Sequence, residues 1–214
     1  MKTVAVLAAL MLAAPALAEE PPKDSPPAEV QNQPEPKPLV RLSVEVDPLD
    51  YTLYKGWGVF VAARVAALPH WRFRIGGGAA SMPSFIVDTT PENKGWSFRL
   101  DPVITFAAHY TVWNFHNERG GLFVGPVVGW MQGVFGAPSG GTATINTAFI
   151  GGDVGFRWYP FSKLGLVISP HFGFIATPGA KTPTVNGQSY KVPPISPQPQ
   201  LLIGYEFDLG KSAS

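Results

Sequence analysis

Two polar side chains that lie two residues apart, Ser169 and His171, are the best candidates for covalent chemistry in this sequence. In a β-strand, residues i and i+2 project from the same face, so the hydroxyl and the imidazole would lie side by side. A histidine activates a neighbouring serine when a carboxylate orients its ring, and Asp153 or Glu206 could supply that carboxylate. We expect the set to lie deep inside a barrel, away from lipid, and therefore interpret it as packing and hydrogen bonding.

The remaining histidines do not form a recognisable site. His109 is expected inside the same barrel, whereas His70 and His116 fall in short turns. The spacing of His, Asp and Glu matches no metal-ligand pattern, and the sequence has no cysteine to act as a thiolate ligand or nucleophile. We predict no catalytic residue, no metal site and no cofactor.

Charge and composition exclude some partners and favour a β-rich fold. The formal net charge is +1 and only 14% of residues are charged, so no basic surface for nucleic acid is expected. The 23 glycines, the aromatic content and the lack of 3.6-residue apolar spacing favour an all-β protein.

The first 38 residues have the composition of targeting and spacer segments. Residues 1–18 combine one lysine, a short apolar run and a small-residue cleavage site, as in a secretory signal peptide. Residues 19–38 contain seven prolines and few apolar residues, which predicts an extended linker, periplasmic in a bacterial envelope.

From residue 39 onward, the chain alternates apolar and polar residues in eight segments. We predict strands at about 39–48, 57–67, 71–80, 96–112, 121–135, 144–159, 164–176 and 198–209. Short and longer links alternate between them, as expected when every second link lies at the same rim of an eight-stranded antiparallel up-and-down barrel. The predicted barrel spans residues 39–210, followed by a short tail at 211–214.

The two faces of these strands indicate which side meets lipid. One face is rich in Val, Leu, Ile and aromatics, and the other carries small residues, arginines and acids with almost no lysine. Small residues and paired charges suit a crowded interior, so we predict that the apolar face points outward, making a transmembrane barrel. Six arginines and six carboxylates are expected in the lumen as a structural network: Arg41, Arg64, Arg72, Arg74, Arg99, Arg157, Glu45, Asp47, Asp101, Asp153, Glu206 and Asp208.

Tryptophans support this orientation by their expected places at the two membrane interfaces. Trp57, Trp96 and Trp130 are expected towards the outer rim, and Trp71 and Trp158 at the inner rim. The alternation points Trp113 inward, which suggests a turn residue.

The last strand carries a further pattern, Gly204-x-x-Phe207-x-Leu209. With the eight strands, it resembles the small outer-membrane β-barrels of Gram-negative bacteria, the class that includes outer membrane protein A and W-like barrels. The resemblance implies a location in the outer membrane, contact with its lipid, and recognition of the last strand by the barrel-assembly machinery. The chain departs from the class pattern at Leu202, where a polar residue is common, and in 210–214, which replace a terminal aromatic residue.

These features together predict a structural or surface-interaction role without catalysis. Two alternatives are a lipid A-modifying enzyme, as some barrels of this size are, and a small-solute channel. A soluble lipocalin-like barrel is the structural alternative. The outer links 81–95 and 177–196 are long enough to bind a surface ligand that the sequence does not specify, with Phe85, Ile86 and Tyr190 as candidate anchors.

Overall fold

Eight long antiparallel strands form one closed barrel in the computed structural model, which describes residues 38–115, 120–161 and 164–211. A two-stranded hairpin lies in the link before the last strand. The strands are β1 (Pro38–Val46), β2 (Trp57–Val65), β3 (Trp71–Met82), β4 (Ser97–Phe115), β5 (Gly120–Gly136), β6 (Thr142–Arg157), β7 (Leu166–Ala176), β8 (Thr184–Val185), β9 (Gln188–Ser189) and β10 (Ser196–Lys211). β1 pairs with β10 and closes the ring, as an up-and-down barrel requires. The predicted signal peptide, all of the predicted linker except Pro38, and residues 212–214 lie outside the described residues.

The two rims of the barrel differ in their links. The rim that holds the start of β1 and the end of β10, here called the terminal rim, also carries the link 66–70 and the described residues 158–161 and 164–165 between β6 and β7. The opposite rim, here called the loop rim, carries 47–56, 83–96, 137–141 and 177–195. The predicted eight-stranded topology is confirmed. The link 137–141 is shorter than expected because β5 and β6 stay paired as far as Gly136 and Thr142.

Short helices occur in two of the loop-rim links: α1 (Pro48–Thr52), α2 (Ser84–Val87) and a 3-10 turn at Pro91–Asn93. Asp47 caps α1, since its carboxylate accepts a hydrogen bond from the Leu49 N–H at 2.9 Å. Pro48 occupies the first helical position, where its missing N–H has no cost. None of the helices among the described residues is long and apolar enough to cross a membrane.

The outer face of the barrel is apolar, while the inner face carries buried charges. This distribution reverses that of a soluble protein, where large apolar side chains are mostly buried, so the soluble lipocalin-like alternative is wrong. Strand residues with exposed apolar side chains include Val44, Val59, Val61, Ile75, Ile104, Phe106, Val124, Val128, Ile150, Val154, Phe172, Phe174, Tyr205, Phe207 and Leu209. The buried charged residues include Glu45, Arg72, Arg74, Asp153, Arg157 and Glu206.

β4 departs from simple alternation at two bulges, one between Leu100 and Val103 and one between Thr111 and Trp113. A bulge inserts an extra residue and reverses which side the following residues face. On the loop-rim side, Leu100 is therefore buried, while the Arg99 and Asp101 side chains are 57% and 48% exposed and pair with each other at 3.3 Å. Their predicted place in the lumen is wrong.

The second bulge changes the orientation of Trp113. Its side chain is 63% exposed, and its ring centre lies 4.4 Å from that of Phe115. The inward orientation expected from strict alternation is wrong, because the register shifts between Thr111 and Trp113.

The loop-rim links pack together into a small apolar cluster, here called the loop cap, formed by Val87, Trp96, Phe135, Val185 and Tyr190. The Trp96 and Tyr190 rings lie 5.7 Å apart, and both side chains are buried. Trp96 is thus not an exposed interfacial residue, and Tyr190 is not a free surface anchor. Both expectations failed because the links fold over one another.

Polar contacts join the same links. The side chain of Asn93 is buried and bonds twice to the backbone of Lys191, donating to its carbonyl at 2.9 Å and accepting from its N–H at 2.8 Å. Asn186 in the β8–β9 hairpin donates to the Gly140 carbonyl at 3.0 Å. Because these bonds join distant parts of the chain, the links around the loop cap form one folded surface.

Candidate functional site in the barrel lumen

A buried ion-pair layer fills the lumen towards the terminal rim; it consists of Ser43, Glu45, Arg72, Tyr159 and Glu206. The Arg72 guanidinium donates to Glu206 at 2.6 Å and to Glu45 at 2.9 Å, and it also bonds the Ser43 hydroxyl. The hydroxyl of Tyr159 donates to Glu206 at 2.8 Å, and that of Ser43 donates to Glu45 at 2.6 Å. One arginine therefore joins two buried carboxylates, and the two hydroxyls each donate one further hydrogen bond to them.

Strand register brings these groups together. Ser43 pairs with Glu206 across β1 and β10, and Arg72 reaches them from β3, which is separated from β1 by β2. Glu45 faces Gly204 in the same register, and a Cβ at Gly204 would lie 2.7 Å from the Glu45 Cγ. Glycine at this position leaves the room in which the Glu45 side chain lies.

Three further predicted lumen arginines lie in the same half of the barrel. Arg41 pairs with Asp208 at 3.2 Å near the terminal rim, where the Asp208 side chain is partly exposed. Arg64 faces Arg41 in the β1–β2 register and is half-buried. Arg157 is buried, with its guanidinium carbon 5.2 Å from the centre of the Phe123 ring, a cation–π contact.

A second polar group lies nearer the middle of the lumen, around Arg74 and Asp153. Arg74 donates to Asp153 at 3.3 Å, and His109 Nε2 lies 3.0 Å from the same carboxylate. His171 Nε2 lies 2.7 Å from the side-chain oxygen of Gln200, and Arg74 lies 3.4 Å from the His171 ring. The groups form a continuous set from β3, β4, β6, β7 and β10.

The candidate catalytic set is not assembled in this arrangement. The Ser169 hydroxyl is buried and has no hydrogen-bond partner in the part of the chain that is described. His171 contacts Gln200 and Arg74, while Asp153 orients His109 rather than His171. A nucleophile without its base is not activated, so the residues do not make a hydrolytic site in this geometry.

The lumen changes character towards the loop rim, where it holds a cavity of about 90 Å³. Gln198, Gln200, Arg74 and Asp153 line it with polar groups, and Asp50 lines it from the link after β1. The apolar lining includes Phe60, Leu100, Val127, Met131, Phe149 and Ile175. Leu100, Val127, Met131 and Phe149 come from β4, β5 and β6, and Phe60 and Ile175 come from β2 and β7.

Most of the charged residues that the pattern predicts in the lumen are buried or half-buried in the structure, but the pattern does not predict their partners. Asp47 is buried, yet it caps α1 instead of pairing with an arginine; the Asp47-Pro48 dipeptide was an available helix-start signal. The sequence pattern missed Tyr159 and Gln200 as partners of these charges because neither residue is charged. Tyr159 also lies beyond the end of β6. Pro102 within a predicted strand was the available signal for the first β4 bulge.

No three His, Asp or Glu side chains come together as a potential metal site within 38–115, 120–161 and 164–211.

Comparison with known proteins gives structural likenesses only. No family description matches this chain, and no curated protein matches it. Neisserial surface protein A is 12% identical, with a TM-score of 0.44 over 79% of this chain and 96% of that one. A major outer membrane protein from Thermus thermophilus is 14% identical, with a TM-score of 0.47 over 78% of this chain and 98% of that one.

A third solved structure is Ail, the attachment invasion locus protein of Yersinia pestis, in complex with the heparin analogue sucrose octasulfate. It is 10% identical, with a TM-score of 0.42 over 81% of this chain and 99% of that one. The class of the present chain follows instead from its own strand pairing, its apolar outer face and its buried lumen charges. The chain is an eight-stranded antiparallel up-and-down transmembrane β-barrel.

Proposed function

We propose that the chain is a protein of the bacterial outer membrane whose barrel anchors a folded interaction surface at the cell exterior, without catalysing a reaction. The observation that carries this proposal is the loop cap, in which distant links pack around Trp96, Phe135 and Tyr190. Links that served only to connect strands would not need a core of their own. The terminal rim then faces the periplasm, and the loop rim faces outward.

Exposed apolar side chains on the loop-rim links support a role in contact. Tyr51 is 79% exposed and Phe85 is 71% exposed, although both lie in links outside the lipid-facing strands. An aromatic side chain exposed on a link is available for contact with another molecule. Of the candidate anchors, Phe85 keeps this role in the proposal, while Tyr190 supports the loop cap from within.

The filled terminal half of the lumen supports an anchor over an open channel. Arg72, Glu45 and Glu206 cross the terminal half of the barrel as a bonded group, and an eight-stranded barrel has an interior that side chains just fill. We expect planar-bilayer recordings of the purified protein to show no stable conductance. A steady ion current from the wild-type protein would support the channel alternative and contradict the proposal.

The absence of cysteine in the sequence allows a direct test of topology. Phe85→Cys places a thiol on a loop-rim link, and Leu68→Cys places a matched thiol on the exposed 66–70 link of the terminal rim. On intact cells, a membrane-impermeant maleimide should label the first variant, and it should label the second only after the outer membrane is permeabilised. The reverse pattern, or fractionation of the protein away from the outer membrane, would contradict the proposal.

The non-catalytic part of the proposal is tested by the cell's own lipid. Lipid A from cells that express the wild-type chain and from cells that express His171→Ala should give the same mass spectrum. A modification that appears with the wild type and disappears with the variant would restore the enzyme alternative.

A photo-crosslinking residue at position 85 should form adducts with a surface component, whereas one at position 68 should not.

The same proposal assigns the last strand to assembly. Gly204, Phe207 and Leu209 would be read by the barrel-assembly machinery as the closing strand; Phe207 and Leu209 lie on the exposed outer face. Phe207→Ala should reduce the amount of inserted barrel more than Tyr205→Ala, because only the former alters the recognised pattern. Equal insertion of both variants would contradict this assignment.

A further inference from the structure

The cavity near the loop rim has a carboxylate at its end, contributed by Asp50 of α1. No hydrogen bond or ion pair joins this carboxylate to another side chain among the described residues. Burial and the nearby Asp47 carboxylate both disfavour its charged form, and they raise the pKa of Asp50 to about 7. An acid in this setting lacks a cationic partner.

A glycine in β2 leaves room for the Asp50 carboxylate. A Cβ at Gly58 would lie 2.2 Å from the Asp50 Oδ2, so only glycine lets the carboxylate lie this close to the strand. Tyr54, from the same link, is buried and also lines the cavity. The Asp50 carboxylate is thus directed at the barrel by local structure, unlike the exposed Glu92 on a neighbouring link.

The cavity below Asp50 has apolar walls and a polar floor whose charges are already paired. Phe60, Leu100 and Met131 are buried and form part of the wall. At the floor, Arg74 donates to Asp153, so its charge is compensated there. The cavity therefore has one carboxyl group without a cationic partner at its loop-rim end, above an apolar space.

We propose that this cavity binds a small alkylammonium ion, with the ammonium group on Asp50 and the alkyl chain among the apolar side chains. The cavity volume of about 90 Å³ is several times the minimum that holds one water molecule, which suits a chain of a few carbons. The charged group would remain near the rim, and the chain would displace poorly held water from an apolar wall. This site goes beyond the proposed surface role and does not depend on it.

The test uses n-butylammonium as the probe, with n-butanol and butyrate as neutral and anionic matches. The purified full chain in detergent micelles carries two methionines on the cavity wall, Met82 and Met131, whose methyl groups report binding by NMR. The alkyl chains of the three probes are short, which limits their partition into the detergent micelle. We expect saturable methyl shifts with butylammonium, at least about tenfold weaker binding of butanol, and no saturable binding of butyrate.

Two substitutions separate the charge from the space. Asp50→Asn should weaken butylammonium binding about tenfold and leave butanol binding unchanged, because it removes only the ionic contact. Ala80→Leu fills the cavity wall and should abolish binding of both probes. The matched controls are Glu92→Gln on an exposed link and Ala108→Leu, whose residue lies between the buried Ala107 and His109 on the opposite face of β4.

The pH dependence gives an independent check. Butylammonium stays charged between pH 6 and pH 8, while Asp50 loses its proton across this range. The affinity of the protein for butylammonium should therefore rise with pH, and its affinity for butanol should not. The proposal is overturned by equal binding of butylammonium and butanol, by preferred binding of butyrate, or by unchanged butylammonium binding in Asp50→Asn. If Ala80→Leu fails to fold, Val127→Phe provides the second cavity-filling variant; retained binding in a folded form of either would also overturn it.

Discussion

The two halves of the lumen solve the same packing problem with different chemistry. Towards the terminal rim, Arg72 is bonded to Glu45 and Glu206, and these charged side chains fill the space. Towards the loop rim, Leu100 and Met131 help to line a cavity whose walls are mostly apolar. The same eight strands supply both halves, so the difference comes from the residues placed at each level of the barrel.

The contrast shows what each half can do. Buried ions need partners at fixed distances, so a charged layer ties strands that are not neighbours, such as β3 and β10, to one arrangement. Apolar side chains do not need partners at fixed distances. They can border an unfilled space, although they then lose van der Waals contacts on that side. We infer that the terminal half stabilises the barrel and that the loop half can accept a ligand.

The largest effect should follow from removal of the shared arginine in the terminal half. Arg72→Met keeps much of the side-chain volume but leaves the buried Glu45 and Glu206 carboxylates without their cation. We expect the free energy of unfolding to fall by about 3–5 kcal/mol, measured by urea unfolding in lipid vesicles. Arg72→Lys should lie between this variant and the wild type, since it keeps the charge and loses the two-pronged geometry. A loss below about 1 kcal/mol for Arg72→Met would contradict the assigned role of the layer.

A smaller effect is expected for an apolar truncation in the loop half. Met131→Ala enlarges a space that already exists, so its cost should be near the low end of core truncations, about 2 kcal/mol. The same urea titration measures it. If Met131→Ala destabilised the barrel more than Arg72→Met, the proposed division between the two halves would be wrong.

The pH dependence of stability should isolate Asp50 in the loop half. Because the folded pKa of about 7 lies above that of the unfolded chain, the folded state holds the proton more tightly, and stability is lost as pH rises between about 4 and 7. Asp50→Asn should remove this loss and be more stable than the wild type at pH 8 by about 1–2 kcal/mol, after allowance for solvent screening. Glu92→Gln, on an exposed link, should leave the slope between pH 5 and pH 8 unchanged. The same stability for wild type and Asp50→Asn across pH 5–8 would show that the Asp50 carboxylate is not desolvated.

The smallest effect is expected where a predicted lumen charge lies outside the lumen. Arg99 and Asp101 form an exposed pair, and such pairs contribute less than about 1 kcal/mol. The free energy of unfolding of Arg99→Met should therefore lie within about 0.5 kcal/mol of that of the wild type, in contrast to the same substitution at Arg72. A cost similar to that of Arg72→Met would place Arg99 in a buried network after all.

Much of the barrel could be predicted because alternation is a local property. In β10, Tyr205, Phe207 and Leu209 are exposed on the outside, while Leu202 and Glu206 are buried inside, as the two-residue period requires. The same rule failed in β4 once a bulge intervened, and Arg99 and Trp113 were misplaced together. One extra residue changes the sequence pattern only slightly, but it reverses the face of the strand from which every following side chain projects.

The candidate site was less predictable than the fold. Ser169 and His171 share a strand face, but sharing a face did not make them partners, because His171 meets Gln200 on the neighbouring β10. The cavity was also missed. Phe123, Val127 and Met131 break the polar pattern of the inner face of β5. When β5 is considered alone, without the strands that face it across the lumen, these residues indicate only weak alternation. The structure shows that Val127 and Met131 line one space with residues of β2, β4, β6 and β7.

The sequence by itself determined the number of barrel strands and, apart from the residues at the two β4 bulges, the side of each barrel strand that meets lipid, because these depend on a two-residue period and on short links. Tertiary structure decided which charges pair, which acid caps a helix, how the links build the loop cap, and where the lumen stays unfilled. Each of these depends on distances between strands that lie far apart in the chain. Arg72 and Glu206 are separated by 134 positions, and only closure of the barrel brings them within 2.6 Å.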